Sequence, residues 1–159
     1  MIDMQTDPDS IRSSLYIDAP PETVFRALTD AKQLLQWWGS ETSYRSTDWT
    51  VDVRPGGRWR SKGSNVAGRP FLVEGEYVEV EPPRRLSYTW KPSWVDVPAT
   101  LVVWELAPEG RGTRVVTVHS GFTGHPRALE DHRSGWPSVI GWLAAWCESR
   151  AAQAIRQVV

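Results

Sequence analysis

The spacing of apolar residues changes along the chain, and this change decides which folds the chain can form. From Tyr44 to Phe122 apolar residues recur at about every second position, which is the period of a β-strand. Turn-rich segments such as Pro55-Gly56-Gly57 and APEGRG separate these runs, so most neighbouring strands are predicted to pair as hairpins. With a further alternating run at residues 11–17, the pattern predicts an antiparallel sheet of about seven strands.

Helical spacing flanks this region on both sides. Residues 21–38 place apolar side chains at helical spacing, with Thr29-Asp30 as the break between two short helices. The longest helical pattern runs from Ser134 to Gln157, and we expect this helix to cover the concave face of the curved sheet. The predicted fold class is therefore α+β, in the order strand, two short helices, about six further strands and a long helix.

Residues 1–10 contrast with the rest of the chain because they are polar, lack any period and contain Pro8. We predict that they form a flexible N-terminal tail. Residues 11–159 are predicted to form one domain, since a chain of 159 residues that is 40% apolar can bury one substantial core.

Charge and composition exclude several classes of protein. Acidic and basic residues are interspersed and leave a formal net charge of -1, so neither nucleic acid nor a membrane is expected as a partner. The single cysteine, Cys147, excludes an internal disulfide, and His125 and His132 lack a third ligand at metal spacing, so no metal is expected. Common phosphate and dinucleotide motifs are absent, and no cofactor is expected. Without a leader pattern or a long apolar run, the chain is predicted to be cytoplasmic.

The ten tryptophans are an unusually large number for a chain of this length. Three of them lie in the stretch GWPSVIGWLAAWC, where helical spacing brings Trp136, Trp142 and Trp146 onto one arc with Val139 and Leu143. Two interpretations are open. The indoles fill the core between helix and sheet, which is the simpler interpretation, or they form the wall of a ligand cavity, because bulky rings do not close-pack easily.

Several segments, taken in order, resemble a known family. They are IDAPPETVFRALTDAKQLLQWWG, RPGGRWR, VEGEYVEVEPPRRLSYTW, GTRVVTVHSGF and HRSGWPSVIGWL, and together they span about residues 12–150. The set resembles the family named after the activator of the ninety-kilodalton heat-shock-protein ATPase, within the START-like, birch-pollen-allergen-like (SRPBCC) superfamily. The resemblance implies a helix-grip fold, in which a curved antiparallel sheet holds a long C-terminal helix with an apolar cavity between them. It does not imply one function, because members include chaperone activators, lipid or hormone binders and cyclase-like proteins.

If this cavity exists, its walls are expected to be mainly aromatic and to contain one histidine. Flat apolar faces with an indole N–H or a hydroxyl can orient an aromatic ligand, although core packing explains the same residues equally well. The candidate wall residues are Trp38, Tyr88, Trp90, Trp104, His119, Trp136, Val139, Leu143 and Trp146.

Two ionisable residues are candidate catalytic groups in such a cavity. His119 shares a strand face with Val115 and Thr117, and its ring can exchange protons near neutral pH. Glu76 shares its strand face with Val78 and would point inward if that valine does. The alternatives are a histidine whose nitrogens are satisfied by neighbouring groups, and a glutamate that is exposed to solvent.

Three functions are consistent with the sequence. We expect first a protein that binds a small apolar or aromatic molecule in the cavity between the sheet and the C-terminal helix. The alternatives are an enzyme of the cyclase, dehydratase or hydrolase kind that uses the same cavity, and a module that activates a chaperone, although no residue supports a chaperone partner. A cavity filled by its own tryptophans would leave the protein to act through its surface. A homodimer is one possible assembly.

Overall fold

The structure, a computed structural model, describes residues 1–158 and contains eight strands and three helices. The strands are β1 (Asp3–Thr6), β2 (Ser10–Ile17), β3 (Tyr44–Val51), β4 (Arg58–Asn65), β5 (Pro70–Glu81), β6 (Arg85–Pro92), β7 (Thr100–Glu109) and β8 (Gly112–Ser120). The helices are α1 (Pro21–Thr29), α2 (Ala31–Trp37) and α3 (Pro126–Val158). None of the helices in this described part of the chain has the length and apolar character that crossing a membrane requires.

The eight strands form one curved antiparallel sheet in the order β1-β2-β8-β7-β6-β5-β4-β3. The long helix α3 buries one side in the core that the strands build, and Ile140, Leu143 and Cys147 are its most deeply buried residues. The two short helices connect β2 to β3 and pack against α3. This is the helix-grip architecture, so the predicted α+β class and its order of elements are confirmed.

The N-terminus differs from the prediction. The sequence predicts a flexible tail at residues 1–10, whereas the structure contains the edge strand β1, which pairs antiparallel with β2. The side chain of Asp7 stabilises the connection, because it accepts hydrogen bonds from the backbone N–H groups of Asp9 and Ser10, both at 2.8 Å. The sheet therefore has eight strands instead of about seven.

The predicted break between the two short helices is confirmed. Helix α1 begins at Pro21, where proline needs no helical N–H partner. Asp30 then ends α1 and caps α2, because its side chain accepts a hydrogen bond from the backbone N–H of Lys32 at 3.0 Å. The indole N–H of Trp37 donates to the carbonyl of Ala27 at 2.9 Å, which ties α2 to α1.

Helix α3 begins at Pro126, well before the predicted start at Ser134. Gly124, with a φ of +84°, turns the chain just before the helix, and Pro126 occupies the first helical position. The prediction starts too late because this first part of the helix is mostly charged and exposed, and its apolar period is weak. Pro137 lies inside the helix.

Two β-bulges change which residues of a strand point towards α3. In β3 the register shifts between Ser46 and Asp48, so that Ser46 and Trp49 both point to the inner side although an odd number of positions separates them. In β5 the register shifts between Tyr77 and Glu79. Beyond each bulge, strand parity alone assigns residues to the wrong face.

Candidate functional site

A cavity of about 430 Å³ lies between the sheet and the N-terminal half of α3. Strands β3 to β6 form its main wall, α3 lies opposite, and Trp38 closes it from the end of α2. Exposed residues mark its mouth, among them Arg69 in the β4–β5 turn and Asp131 on α3. Its volume lies within the range of small-molecule binding sites.

Five of the candidate wall residues line this cavity. They come from four elements far apart in the sequence, and all of them are buried: Trp38, Trp90, His119, Trp136 and Val139. Helical spacing explains why the last two appear together, since both lie on the inner side of α3. The fold therefore brings this part of the predicted wall to one place.

The other four candidate wall residues do not line the cavity of the described chain. Trp104 is fully buried, and its indole N–H donates to the hydroxyl of Tyr88 at 3.0 Å, so this pair fills the core instead. Leu143 is also fully buried, while Trp146 donates to the side chain of Gln33 at 2.9 Å. The reason is that this cavity lies beside the N-terminal half of α3, whereas side chains fill the space around these four residues.

Four indoles form a closed cluster at the base of the cavity, and both interpretations of the tryptophans apply in part. Around this four-indole cluster, neighbouring ring centroids lie 5.5 to 6.0 Å apart, within the range of favourable aromatic pairs. Its members are Trp38, Trp49, Trp59 and Trp90.

Six of the ten tryptophans are buried: Trp37, Trp38, Trp59, Trp90, Trp104 and Trp136. Five line the cavity: Trp38, Trp49, Trp90, Trp94 and Trp136.

The cluster depends on one glycine. The indole of Trp59 lies over Gly75 and donates from Nε1 to the carbonyl of Thr89 at 3.2 Å. A Cβ at Gly75 would lie 1.8 Å from that carbonyl oxygen and 2.7 Å from the indole nitrogen. No side chain fits there without displacing backbone, so the glycine is what allows the indole to lie flat against the sheet.

His119 has a hydrogen-bond partner at each ring nitrogen. Its Nδ1 accepts from the indole N–H of Trp136 at 3.1 Å, because an indole nitrogen can only donate. Its Nε2 lies 2.6 Å from Oγ1 of Thr100, whose own hydroxyl proton is directed to the carbonyl of Trp90 at 3.3 Å. The Nε2 atom is therefore the protonated one, and the ring is neutral.

His132 mirrors this arrangement from α3, with its ring centroid 5.1 Å from that of His119. Its Nδ1 donates to the carbonyl of Ala128 at 2.8 Å, and its Nε2 accepts from the indole N–H of Trp90 at 3.0 Å. The two histidines and their two indole donors, Trp90 and Trp136, thus form one hydrogen-bonded group, here named the His–Trp pair network.

Burial keeps both rings of this network uncharged. Desolvation, and to a smaller extent repulsion from His132 whenever that ring is protonated, lowers the pKa of His119 well below its usual range. Desolvation also lowers the pKa of His132, although the bond to Ala128 and the charge of Asp131 oppose it. Protonating either ring would place an N–H against an indole N–H, so the bonding geometry favours the neutral forms for the same reason.

His132 is one of the site residues that cannot be recognised from the sequence pattern. It appears there only beside His125 as an incomplete metal pair, because the predicted helix begins after it. With α3 extended to Pro126, His132 lies one helical turn before Trp136 and on the same side of the helix. Within residues 1–158, no group of three or more His, Cys, Asp or Glu side chains could hold a metal ion.

Glu76, the second candidate catalytic group, lies outside the cavity. It is exposed on the outer face of β5, whereas Val73 and Tyr77 are buried on the inner face. Val78, on which the inward orientation of Glu76 depended, is 49% exposed on the same outer face. The bulge after Tyr77 changes the parity only beyond this valine, so that Val80 packs against the core although it has the parity of Glu76. Glu74 shares the outer face with Glu76 and is half-buried.

The wall formed by β3 and β4 carries polar groups that the sequence analysis does not single out. Ser46 and Ser61 are buried and their hydroxyl oxygens lie 2.7 Å apart. The hydroxyl of Tyr44 accepts a hydrogen bond from the indole N–H of Trp38 at 3.1 Å, and burial raises the pKa of Tyr44 to about 12. The indole N–H of Trp49 is buried without a hydrogen-bond partner in the described chain. We call these four residues the β3–β4 polar wall.

Trp94 stands at the mouth of the cavity, in the segment between β6 and β7. It is 50% exposed, its ring stacks on that of His132 at 6.3 Å, and its indole N–H donates to the carboxylate of Asp131 at 3.2 Å. Phe71 of β5 contacts the same ring edge-on at 6.2 Å. An aromatic side chain is therefore held across the opening by contacts to both α3 and the sheet.

Residues 18–148 match the family model described as "Activator of Hsp90 ATPase homolog 1-like protein". Protein CV1439 from Chromobacterium violaceum has a similar solved structure, with 30% identity, a TM-score of 0.77 and coverage of 89% of this chain and 99% of that chain. Protein Ms6760 from Mycobacterium smegmatis is similar at 21% identity with a TM-score of 0.81, covering 91% and 96% of the two chains. An AHSA1-like protein from Aeromonas hydrophila is similar at 24% identity with a TM-score of 0.73, covering 89% and 93%. Comparison with curated proteins found no match.

Proposed function

Since this chain belongs to the family of Activator of Hsp90 ATPase homolog 1-like proteins, we propose that it binds a small apolar or aromatic molecule in the cavity between the sheet and α3. The family shares a fold rather than one activity, so the proposal depends on the cavity itself.

The observation that carries the proposal is an open space lined by five indoles. Their flat faces offer large apolar contacts. The cost in side-chain entropy is small for three of them, Trp38, Trp49 and Trp90, since these already pack against one another in the four-indole cluster. A core that needed no ligand would gain by closing this space, because empty volume forfeits dispersion contacts. Trp94, held across the mouth yet half exposed, supports entry of a molecule from solvent.

Binding is favoured over catalysis by the state of the ionisable groups. His119 and His132 both have each ring nitrogen engaged by a named partner, so neither offers a free lone pair as a general base. Glu76 lies on the outer face of the sheet. An enzyme using this cavity would have to break the His–Trp pair network before proton transfer.

Titration with flat apolar compounds, followed by NMR of ¹⁵N-labelled protein, tests the proposal. Each tryptophan gives its own indole N–H signal, and naphthalene, indole and fluorene serve as probes. We expect saturable shifts for Trp49, Trp90 and Trp136, which line the cavity, and little change for Trp146, which does not.

A cavity-filling variant locates the binding. Val139→Phe places a ring in the cavity and should weaken each probe at least about tenfold, because the probe and the new side chain compete for one space. Ala145→Phe makes a comparable change on the exposed side of the same helix and should leave binding unaltered. Failure of all three probes to bind the unaltered protein, or equal binding by Val139→Phe, refutes the proposal.

A further inference from the structure

The polar groups of the cavity form two sets. In one set every donor and acceptor has a partner within the protein, and in the other some donors have none. In the His–Trp pair network, the acceptor nitrogens of His119 and His132 are occupied by the indole N–H groups of Trp136 and Trp90. Their ring N–H groups are occupied by Thr100 and by a helix carbonyl. This side of the cavity therefore presents apolar ring surface to a ligand and has no histidine lone pair to offer.

The β3–β4 polar wall, in contrast, retains hydrogens without acceptors. One proton of the Ser46–Ser61 pair serves the bond between the two hydroxyls, which leaves the other proton free. The oxygen of Tyr44 accepts from Trp38, while its own proton has no acceptor within the described chain. Its raised pKa, about 12, keeps that proton in place at neutral pH.

Trp49 adds a group that can only donate. Its indole N–H is buried and has no partner among residues 1–158, and its ring lines the cavity. The bulge in β3 places it there, opposite Ser61 in the register of β3 and β4, so the unmatched donors lie on one wall. Burying a donor without an acceptor destabilises a fold, and a ligand oxygen is a group that can remove this cost.

The charges around the cavity limit the ligand further. Among the lining residues that the structure describes, the ionised side chains are Arg69 and Asp131, and both are exposed at the mouth. The interior has neutral histidines, hydroxyls and indoles. A carboxylate or an ammonium group placed there would be buried without a counter-charge, which is strongly unfavourable.

Given the proposed binding function, on which this step rests, we infer that the ligand is a flat conjugated molecule with an uncharged carbonyl-type oxygen directed at the β3–β4 polar wall. Its ring system lies against the four-indole cluster, and its oxygen accepts hydrogen bonds from Trp49 and from the serine or tyrosine hydroxyls. The class comprises aryl ketones, quinones and similar carbonyl compounds, as opposed to plain hydrocarbons, aryl amines or aryl carboxylates.

A pair of isosteric probes tests this inference. In 2-acetylnaphthalene a carbonyl oxygen stands where 2-isopropenylnaphthalene has a terminal methylene, and the shapes are otherwise alike. Transfer from water favours the alkene, because the ketone oxygen loses its hydrogen bonds to water. We expect the reverse order here, with the ketone binding about fivefold tighter for each hydrogen bond gained. Dissociation constants come from NMR titration of both probes under the same conditions.

Variants of the wall identify the donors. Trp49→Phe removes the unpaired N–H and keeps an aromatic ring, and Ser46→Ala/Ser61→Ala removes both hydroxyls. In each variant the preference for the ketone, measured as the dissociation constant of the alkene divided by that of the ketone, should decrease. It should approach the value below one that transfer from water predicts. Tyr16→Phe removes a hydroxyl on the outer face of β2 and should leave the ratio unchanged. Two independent wall variants keep the test valid if one of them does not fold.

The outcomes separate the two proposals. If both probes bind and the alkene binds as tightly as the ketone or more tightly, the inference about the carbonyl oxygen is overturned while ligand binding stands. A ketone preference that survives in both wall variants also overturns it. If neither probe binds, the proposed function fails and takes the inference with it.

Discussion

Mild acid should destabilise this protein through the His–Trp pair network. Both histidines are buried and neutral, each with an indole N–H directed at its acceptor nitrogen. In the unfolded chain the same rings titrate at the ordinary value of 6.5. Below that pH the unfolded state binds protons that the folded state excludes. Stability is therefore complete above pH 6.5 and is lost as the pH falls.

The magnitude follows from the proton difference. For each ring that takes up no proton in the folded state, the free energy of unfolding falls by up to about 1.4 kcal/mol for every pH unit below 6.5. Most of the fall in the free energy of unfolding should come from His119, the more deeply buried ring, and a smaller part from His132. Such a loss is a large fraction of the stability of an ordinary domain.

Carboxylates do not interfere in this window of pH. Asp9, Asp18 and Glu130 have lowered pKa values because of hydrogen bonds to Thr123, Arg111 and Arg133 respectively. Their ordinary values, 3.8 for aspartate and 4.5 for glutamate, place their effect on stability further into acid. A change between about pH 7 and pH 5 therefore reports on histidine.

Urea unfolding at a series of pH values measures the effect. The free energy of unfolding should fall with a slope that approaches about 1.4 kcal/mol per pH unit for each histidine excluded from protonation. His132→Gln keeps an acceptor for the N–H of Trp90 but cannot titrate, so its slope should be smaller, and His119→Asn should reduce it more. A free energy of unfolding that is constant from pH 7 to pH 5 would refute the network as described.

Three further changes test the packing and the surface. Gly75→Ala should lower the free energy of unfolding by about 3 kcal/mol, because the new Cβ meets the carbonyl of Thr89 at 1.8 Å; a loss below about 1 kcal/mol in urea unfolding would contradict this. Gly141→Ala, on the exposed side of α3 with no atom within 4 Å of the new Cβ, should instead raise thermal stability by about 1 kcal/mol, and a decrease would count against the assigned helix face. Arg85→Ala removes ion pairs to two partly exposed glutamates and should cost less than about 1 kcal/mol, an effect that high salt removes; a larger, salt-independent loss would show that the pairs act as buried ones.

Most of the fold can be predicted from the sequence because burial leaves a period in it. The alternation between Tyr44 and Phe122, the break at Asp30 and the long C-terminal stripe each correspond to an observed element. Strand β1 leaves no such signal, because an exposed edge strand has no face that must be apolar. Its pairing with β2 holds it in place, with Met4 packed against the core, and backbone pairing cannot be read from side-chain types.

The site is harder to predict, since it depends on where space remains and not on which faces are apolar. Leu143 and Trp136 share the inner side of α3, yet only Trp136 lines the cavity, because neighbouring side chains fill the space beneath Leu143. Glu76 and Val80 have the same parity, yet the one-residue bulge after Tyr77 puts them on opposite faces, and no local residue type announces it. Trp49 reaches the cavity through another bulge, so its free N–H emerges only in three dimensions.

Pro137 divides α3 into two segments that are held in place by different interactions. Because proline has no backbone N–H, the carbonyl of Arg133 lacks its usual helical partner at this turn. The segment before the proline carries His132 and Trp136, which are joined to the sheet by side-chain hydrogen bonds, whereas the segment after it carries Leu143 in the closed core. The segment of α3 that covers the cavity is thus held to the sheet by two side-chain hydrogen bonds. It lacks one backbone hydrogen bond where it joins the rest of the helix. We therefore expect the loss of these two hydrogen bonds to loosen the helix before Pro137 more than the packed segment after it.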